Sequence, residues 1–129
     1  MSLRIMIVDD SPIIRAVIEK NLRMTGLPVD GCVMAGNGQE ALDQLTDQWI
    51  DLALVDINMP VMNGVELIEK MKEDDLLKTI PIIVASTEGS QTRIDKLREL
   101  GIVGYLRKPF TPEQFKEQIT QALELNDAA

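Results

Sequence analysis

A short set of side chains in this sequence has the chemistry to hold a hard metal ion or to meet a phosphoryl group: Asp9, Asp10, Asp56, Ser86, Thr87 and Lys108. Carboxylates gathered in one pocket repel one another unless something neutralises them. A divalent hard cation does so, and magnesium takes oxygen ligands, commonly one or two carboxylates with waters and a substrate phosphate. Asp10 and Asp56 suit direct ligation, and Asp9 suits ligation through a water. With the cation in place a phosphoryl group can approach the acidic pocket, and a carboxylate can attack it to form an acyl phosphate. Lys108 would then offset charge on the phosphoryl oxygens, and the Ser86 hydroxyl would hydrogen-bond one of them.

Taken singly, each of these residues has an ordinary structural use. Asp9, Asp10 or Ser11 can cap a helix, but a cap needs one acceptor and leaves the second acid over. Asp56 precedes Pro60 and suits a turn, Ser86 or Thr87 suits a helix N-cap, and Lys108 alone is a surface lysine. The joint arrangement carries the functional reading, so the elements that bring these residues together matter.

Short apolar runs at 4–8, 31–35, 52–55, 81–86 and 103–107 read as strands. Between them lie helical spacings, the first marked by Ile14, Val17, Ile18 and Leu22 on one face. Ser11 is its expected N-cap, Pro12 suits its first turn and Gly26 is its expected stop. The others are marked by Ala41 and Leu45, by Leu67, Ile68 and Met71, by Ile94 and Leu97, and by Phe115, Ile119 and Ala122. The result is a (βα)₅ pattern. Its strand runs are nearly continuous rather than alternating, which suits a parallel sheet covered by helices on both faces. Ligands of open α/β sheets sit beyond the carboxyl ends of the strands. Asp9 and Asp10 follow the first strand, Asp56 the third, Ser86 and Thr87 the fourth and Lys108 the fifth, so all of them fall at that edge.

The chain has 129 residues, suited to a single domain over 1–129 with a core from about 3 to 125. Its net charge is −8, which argues against nucleic acid as a direct partner. Histidine is absent, so no His base, ligand or phosphohistidine resides on this chain. Cys32 is the lone cysteine and is expected in the core, and Trp49 is expected to cover a core edge. No apolar run approaches a membrane span, and the opening "MSLRIMIVDD" lacks a signal-peptide layout. A cytoplasmic protein without membrane contact is the expectation.

The pieces "VDDS" (8–11), "VDINMPVMNG" (55–64), "PIIVAST" (81–87) and "GYLRKPF" (104–110), in this order and spacing, resemble the receiver domain of response regulators, of the CheY-like single-domain type. The resemblance covers essentially the whole chain. It implies a doubly wound, flavodoxin-like three-layer sandwich with strand order 2-1-3-4-5. It implies that Asp56 is the phosphoacceptor, taking its phosphoryl group from a phosphohistidine on a sensor histidine kinase or phosphotransfer protein. Asp10, Asp56 and the Asn58 carbonyl would bind Mg2+, with Asp9 helping through water. Lys108 would pair with the phosphoryl group, Ser86 would swing to meet it, and Tyr105 would move inward as the aromatic switch. The Lys108–Pro109 peptide would be cis, and Gly64 would start the third helix. Asn58 and Glu88 occupy the positions that set phosphate lifetime, and the pair implies a short one. Output would pass to a protein target through the face made by the fourth helix, fifth strand and fifth helix. The protein would not be an enzyme beyond catalysing its own phosphorylation and dephosphorylation. Thr87 departs from the small residue usual there, and its branched side chain would narrow access to the acceptor.

Other readings use the same fold. A flavodoxin-like redox protein would want a Ser/Thr/Gly-rich phosphate loop where this chain has "DDSP". A metal-dependent aspartyl phosphatase would want an acid at Asn58. A degenerate scaffold would lack part of the acidic set. A receiver excised from a larger regulator, or a phosphorelay intermediate, fits the same residues.

Overall fold

The computed structural model describes residues 2–87 and 90–128, with side chains through residue 124. Five strands alternate with five helices: β1 (Leu3–Val8), α1 (Pro12–Met24), β2 (Val29–Ala35), α2 (Gly38–Leu45), β3 (Leu52–Val55), α3 (Gly64–Glu73), β4 (Ile82–Ser86), α4 (Gln91–Glu99), β5 (Gly104–Arg107) and α5 (Pro112–Ala128). The sheet is parallel throughout, in the order β2-β1-β3-β4-β5.

Both faces of the sheet are buried, which explains the nearly continuous apolar strands. Met6, Val8, Ala53 and Val55 point to one face, where Ala41, Leu45, Leu67, Ile68, Met71 and Leu97 come from α2, α3 and α4. Ile5, Ile7, Leu52 and Leu54 point to the other, where α1 and α5 supply Ile18, Leu22, Phe115, Ile119 and Ala122. Period-two alternation thus persists, but it sorts apolar side chains between two cores rather than between core and water. Burying a large aliphatic side chain contributes about 1.5–3 kcal/mol, so the two clusters together drive folding.

Several boundaries differ from the sequence reading. The β2 strand starts two residues early, at Val29, because the register against β1 skips Asp30 and places Gly31, at φ 144°, opposite Arg4. Helix α2 begins at Gly38, with Asn37 as its N-cap. Strand β4 begins after Pro81, which has no N–H to give but accepts a hydrogen bond on its carbonyl from Ala53 N at 3.0 Å. A 3₁₀ turn, Leu77–Thr79, precedes β4. The N-cap of α4 is Ser90, so neither Ser86 nor Thr87 caps a helix. Ser11 caps α1 as expected, accepting from Ile14 N at 3.2 Å. Trp49 is 55% exposed rather than a cover for the core, its indole N–H donating to Asp51 Oδ1 at 3.2 Å. Cys32 is half-buried against the second cluster, and burial with the nearby Glu19 pushes its thiol up to about 11. Among the described residues no helix is long and apolar enough to cross a membrane.

Candidate functional site

Strand order reverses at β1, whose neighbours are β2 on one side and β3 on the other. That reversal opens a crevice at the carboxyl ends of β1 and β3, and Asp9, Asp10 and Asp56 line it. The Asp56 N–H donates to the Val8 carbonyl at 2.8 Å, so the ends of the two strands are tied together where the acids emerge. Carboxylate oxygens of Asp9, Asp10 and Asp56 all lie within 4.8 Å of one another. Asp9 and Asp56 are buried, whereas Asp10 is exposed.

Asp9 is held at every polar atom. Its N–H donates to the Ala35 carbonyl at 3.1 Å. Its Oδ1 accepts from Ser11 N at 2.9 Å, and its Oδ2 accepts from Lys108 Nζ at 3.0 Å. Its carbonyl accepts from Arg15 Nη1 at 2.6 Å. Lys108 stands farther from Asp56, at 3.9 Å from Oδ1. Burial is the main force pushing the Asp56 carboxyl above its ordinary range; Lys108 opposes the shift and the charges of Asp9 and Asp10 add to it. Three carboxylates against the Lys108 ammonium and the Arg15 guanidinium leave the pocket net negative.

The segment after Asp56 is shaped by its backbone. Gly64 opens α3 so close to β3 that an added Cβ would strike the Asp56 carbonyl and lie 2.9 Å from Ile57 Cα. Asn63 and Glu66 form a reciprocal capping box there. Between them and Asp56, the Met62 N–H donates to the Pro60 carbonyl at 2.7 Å, closing a three-residue turn around Val61. Val61 has φ 66°, a left-handed conformation that is costly for a β-branched residue, and its side chain projects into solvent. Asn58, two residues past Asp56, is exposed.

On the β4 and β5 side, Ser86 is fully buried, and its carbonyl accepts from the Lys108 N–H at 2.8 Å. This bond carries the sheet one step past β5 and sets where the lysine departs. The Lys108–Pro109 peptide is cis. Tyr105 pairs with Val84 in register and is half-buried against the first core cluster. Thr87 is exposed and, with Ile14, Val17, Lys108, Pro109 and Phe110, lines a cavity of about 350 Å³ that shares Lys108 with the acidic cluster. Glu88 lies outside the described residues.

The structure thus brings Asp9, Asp10, Asp56 and Lys108 into one cluster, with Ser86 at the adjacent strand end. Arg15 belongs to the same neighbourhood and escaped the sequence reading, because its contact is with a backbone carbonyl that no side-chain pattern reveals. The cluster fits a divalent cation. Its donors are hard oxygens, one of them on an exposed side chain, and a few carboxylates with room for waters suits Mg2+ better than the larger oxygen cage of Ca2+.

Residues 5–120 match the family model for the response regulator receiver domain. The chemotaxis protein CheY1 of Helicobacter pylori is 34% identical over 126 residues, covering 97% of this chain and all of its own length. The structure of the chemotaxis response regulator CheY4 of Vibrio cholerae superposes with a TM-score of 0.83 at 30% identity, covering 95% of this chain and 99% of that one. The receiver domain of a Pseudomonas aeruginosa sensor histidine kinase, which holds a magnesium ion in its active-site cleft, shares the fold at a TM-score of 0.83 and 23% identity, with 96% and 99% covered. With acids at the strand reversal and a lysine beyond β5, the chain belongs to the response regulator receiver domain family, in its CheY-like form.

Proposed function

We propose that this protein is a phosphoacceptor switch whose Asp56 carboxylate takes a phosphoryl group from the phosphohistidine of a sensor histidine kinase or phosphotransfer protein. The observation that carries the reading is the meeting of Asp9, Asp10 and Asp56 within 4.8 Å, with Lys108 3.0 Å from one and 3.9 Å from another. In the transfer, an Asp56 oxygen forms a bond to phosphorus. The P–N bond to the donor imidazole breaks, and its electron pair returns to that ring. Later a water attacks phosphorus, the P–O bond to Asp56 breaks, and the carboxylate and inorganic phosphate are restored. Because the protein only turns over its own phosphate, it is not an enzyme toward outside substrates.

Asp10, Asp56 and the Asn58 carbonyl would hold Mg2+, with Asp9 acting through a water. When bound, the cation supplies charge compensation that lets a phosphoryl group enter an acidic pocket. Burial fixes Asp56 for in-line attack and strips its water shell. The Lys108 ammonium would transfer from Asp9 to the incoming phosphoryl oxygens, and the Ser86 hydroxyl would donate to one of them. Movement of Ser86 would draw Tyr105 inward and alter the face of α4, β5 and α5, which would bind a protein target. Phosphorylation shifts such an equilibrium only by its differential interaction with the two states. Asn58 and Glu88 would keep the phosphate short-lived, and Thr87 would narrow the approach to Asp56. We place the protein in the cytoplasm, with residues 1–129 forming one receiver domain.

Intact mass after incubation with acetyl phosphate tests this reading. One added phosphoryl group should appear in wild type with Mg2+, and disappear without Mg2+ or in Asp56→Asn. Failure to form an adduct, together with failure to bind Mg2+ or beryllium fluoride, would leave a receiver-shaped scaffold and sink the switch.

A further inference from the structure

We infer that Arg15 is a positioning residue for the acidic cluster: its guanidinium fixes the peptide between Asp9 and Asp10 and so aims Asp10 at the cation. The inference rests on reading the cluster as a Mg2+-dependent phosphoacceptor site.

Asp9 and Asp10 are held in opposite ways. The Asp9 side chain is locked by Ser11 N and Lys108 Nζ. The Asp10 carboxylate is exposed and makes no hydrogen bond or ion pair among the described residues. Its direction therefore depends on the main chain. The peptide unit that leads into Asp10 is planar, so fixing its oxygen fixes the line along which Asp10 leaves it. That oxygen is the Asp9 carbonyl, and Arg15 Nη1 holds it at 2.6 Å. The arm that does so is itself confined. It lies against Gly36, where an added Cβ would sit in van der Waals contact with Arg15 Nη1, at 3.6 Å.

The location of Arg15 breaks a local rule. It sits near the start of α1, which has no acidic residue in its first turn, where a cation opposes the helix dipole. Such departures are expected where a site gains from them.

A purely electrostatic role and a positioning role predict opposite signs. Removing a cation beside three carboxylates should tighten Mg2+ binding by charge alone. Releasing the Asp9–Asp10 peptide should weaken it, as loss of an outer-shell partner commonly does by about 10-fold or more. The experiment is Mg2+ titration by calorimetry on wild type, Arg15→Gln and Arg15→Lys, with a thermal melt of each. We expect Arg15→Gln to bind Mg2+ about 10-fold more weakly, and Arg15→Lys, which keeps the charge and one donor, to fall between. In an Asp10→Asn background the Arg15→Gln effect should vanish, because the two residues act through one arm. Unchanged or tighter binding in Arg15→Gln, even with a lowered melting temperature, would overturn the inference and leave Arg15 a structural clamp. If Arg15→Gln does not fold, Arg15→Lys decides on the same criterion. Wild type that binds no Mg2+ would instead overturn the reading of the site itself.

Discussion

Asp56 is the residue on which stability and chemistry pull in opposite directions. Burial and the neighbouring acids raise its carboxyl in the folded state. A raised acid favours the native state below its unfolded pKa, and that advantage is lost as pH rises through the folded pKa. At neutral pH the ionised side chain therefore opposes folding. Asp56→Asn should stabilise the metal-free protein by about 0.5–2 kcal/mol at pH 7, the range typical of relieving an unfavourable charge. The gap should shrink as pH falls toward the carboxylate range, and Mg2+ should narrow it by stabilising wild type more than the variant, which lacks one carboxylate ligand. Urea unfolding at several pH values, with and without Mg2+, measures all of this; an Asn variant less stable than wild type at pH 7 would refute it. At this scale the sequence was only partly legible. The strand-end acids stood out because their positions follow from the sheet, but the closer approach of Lys108 to Asp9 than to Asp56 depends on a 99-residue separation that only the fold closes. Arg15 was hidden because it acts on a carbonyl oxygen.

At the scale of elements, the loop from Asp56 to Gly64 shows how backbone constraint serves the site. Gly64→Ala should cost about 1–3 kcal/mol, because its Cβ meets the main chain of Asp56 and Ile57 rather than a flexible side chain. The same change should lower phosphorylation by acetyl phosphate, since it pushes on the carbonyl of the acceptor. Val61 offers the converse. Its left-handed φ of 66° costs a β-branched residue about 1–2 kcal/mol, and its side chain is solvent-exposed, so Val61→Asn should stabilise by about 1 kcal/mol. Denaturation curves separate the two outcomes, and a destabilised Asn variant would show that the valine contributes more than the exposed side chain reveals. The element boundaries that sequence reading missed have related causes. Asp30 and Gly31 interrupt the β2 pattern because the register skips a residue. The α4 helix buries only Leu97, so its apolar signal is thin, and its cap at Ser90 follows other hydroxyls that compete for the role.

For the whole molecule, the architecture was the most legible level. Strands buried on both faces must be apolar at nearly every position, so β1, β3 and β4, interrupted only by Arg4 and Ser86, announce a covered parallel sheet. The strand order is a different matter, because local patterns do not state which strands are neighbours; it came from the family resemblance, and the structure has that order. The order places a reversal between β1 and β3, and the reversal makes a site of acids that are far apart in the chain. Rigid strands set where Asp56, Ser86 and Lys108 leave the sheet, and under the proposed switch the helices beyond them would change packing on phosphorylation. This division follows from two cores on either side of a common sheet.

In the proposed switch Asp56 itself carries the phosphoryl group. An acyl phosphate is reduced by borohydride to an alcohol, whereas a phosphoester on serine or threonine is not. Protein treated with acetyl phosphate and Mg2+, reduced with borohydride, digested and sequenced by mass spectrometry should contain homoserine at position 56. Reduction at Asp9 or Asp10, or a stable phosphate on Ser86 or Thr87 with residue 56 unchanged, would contradict it.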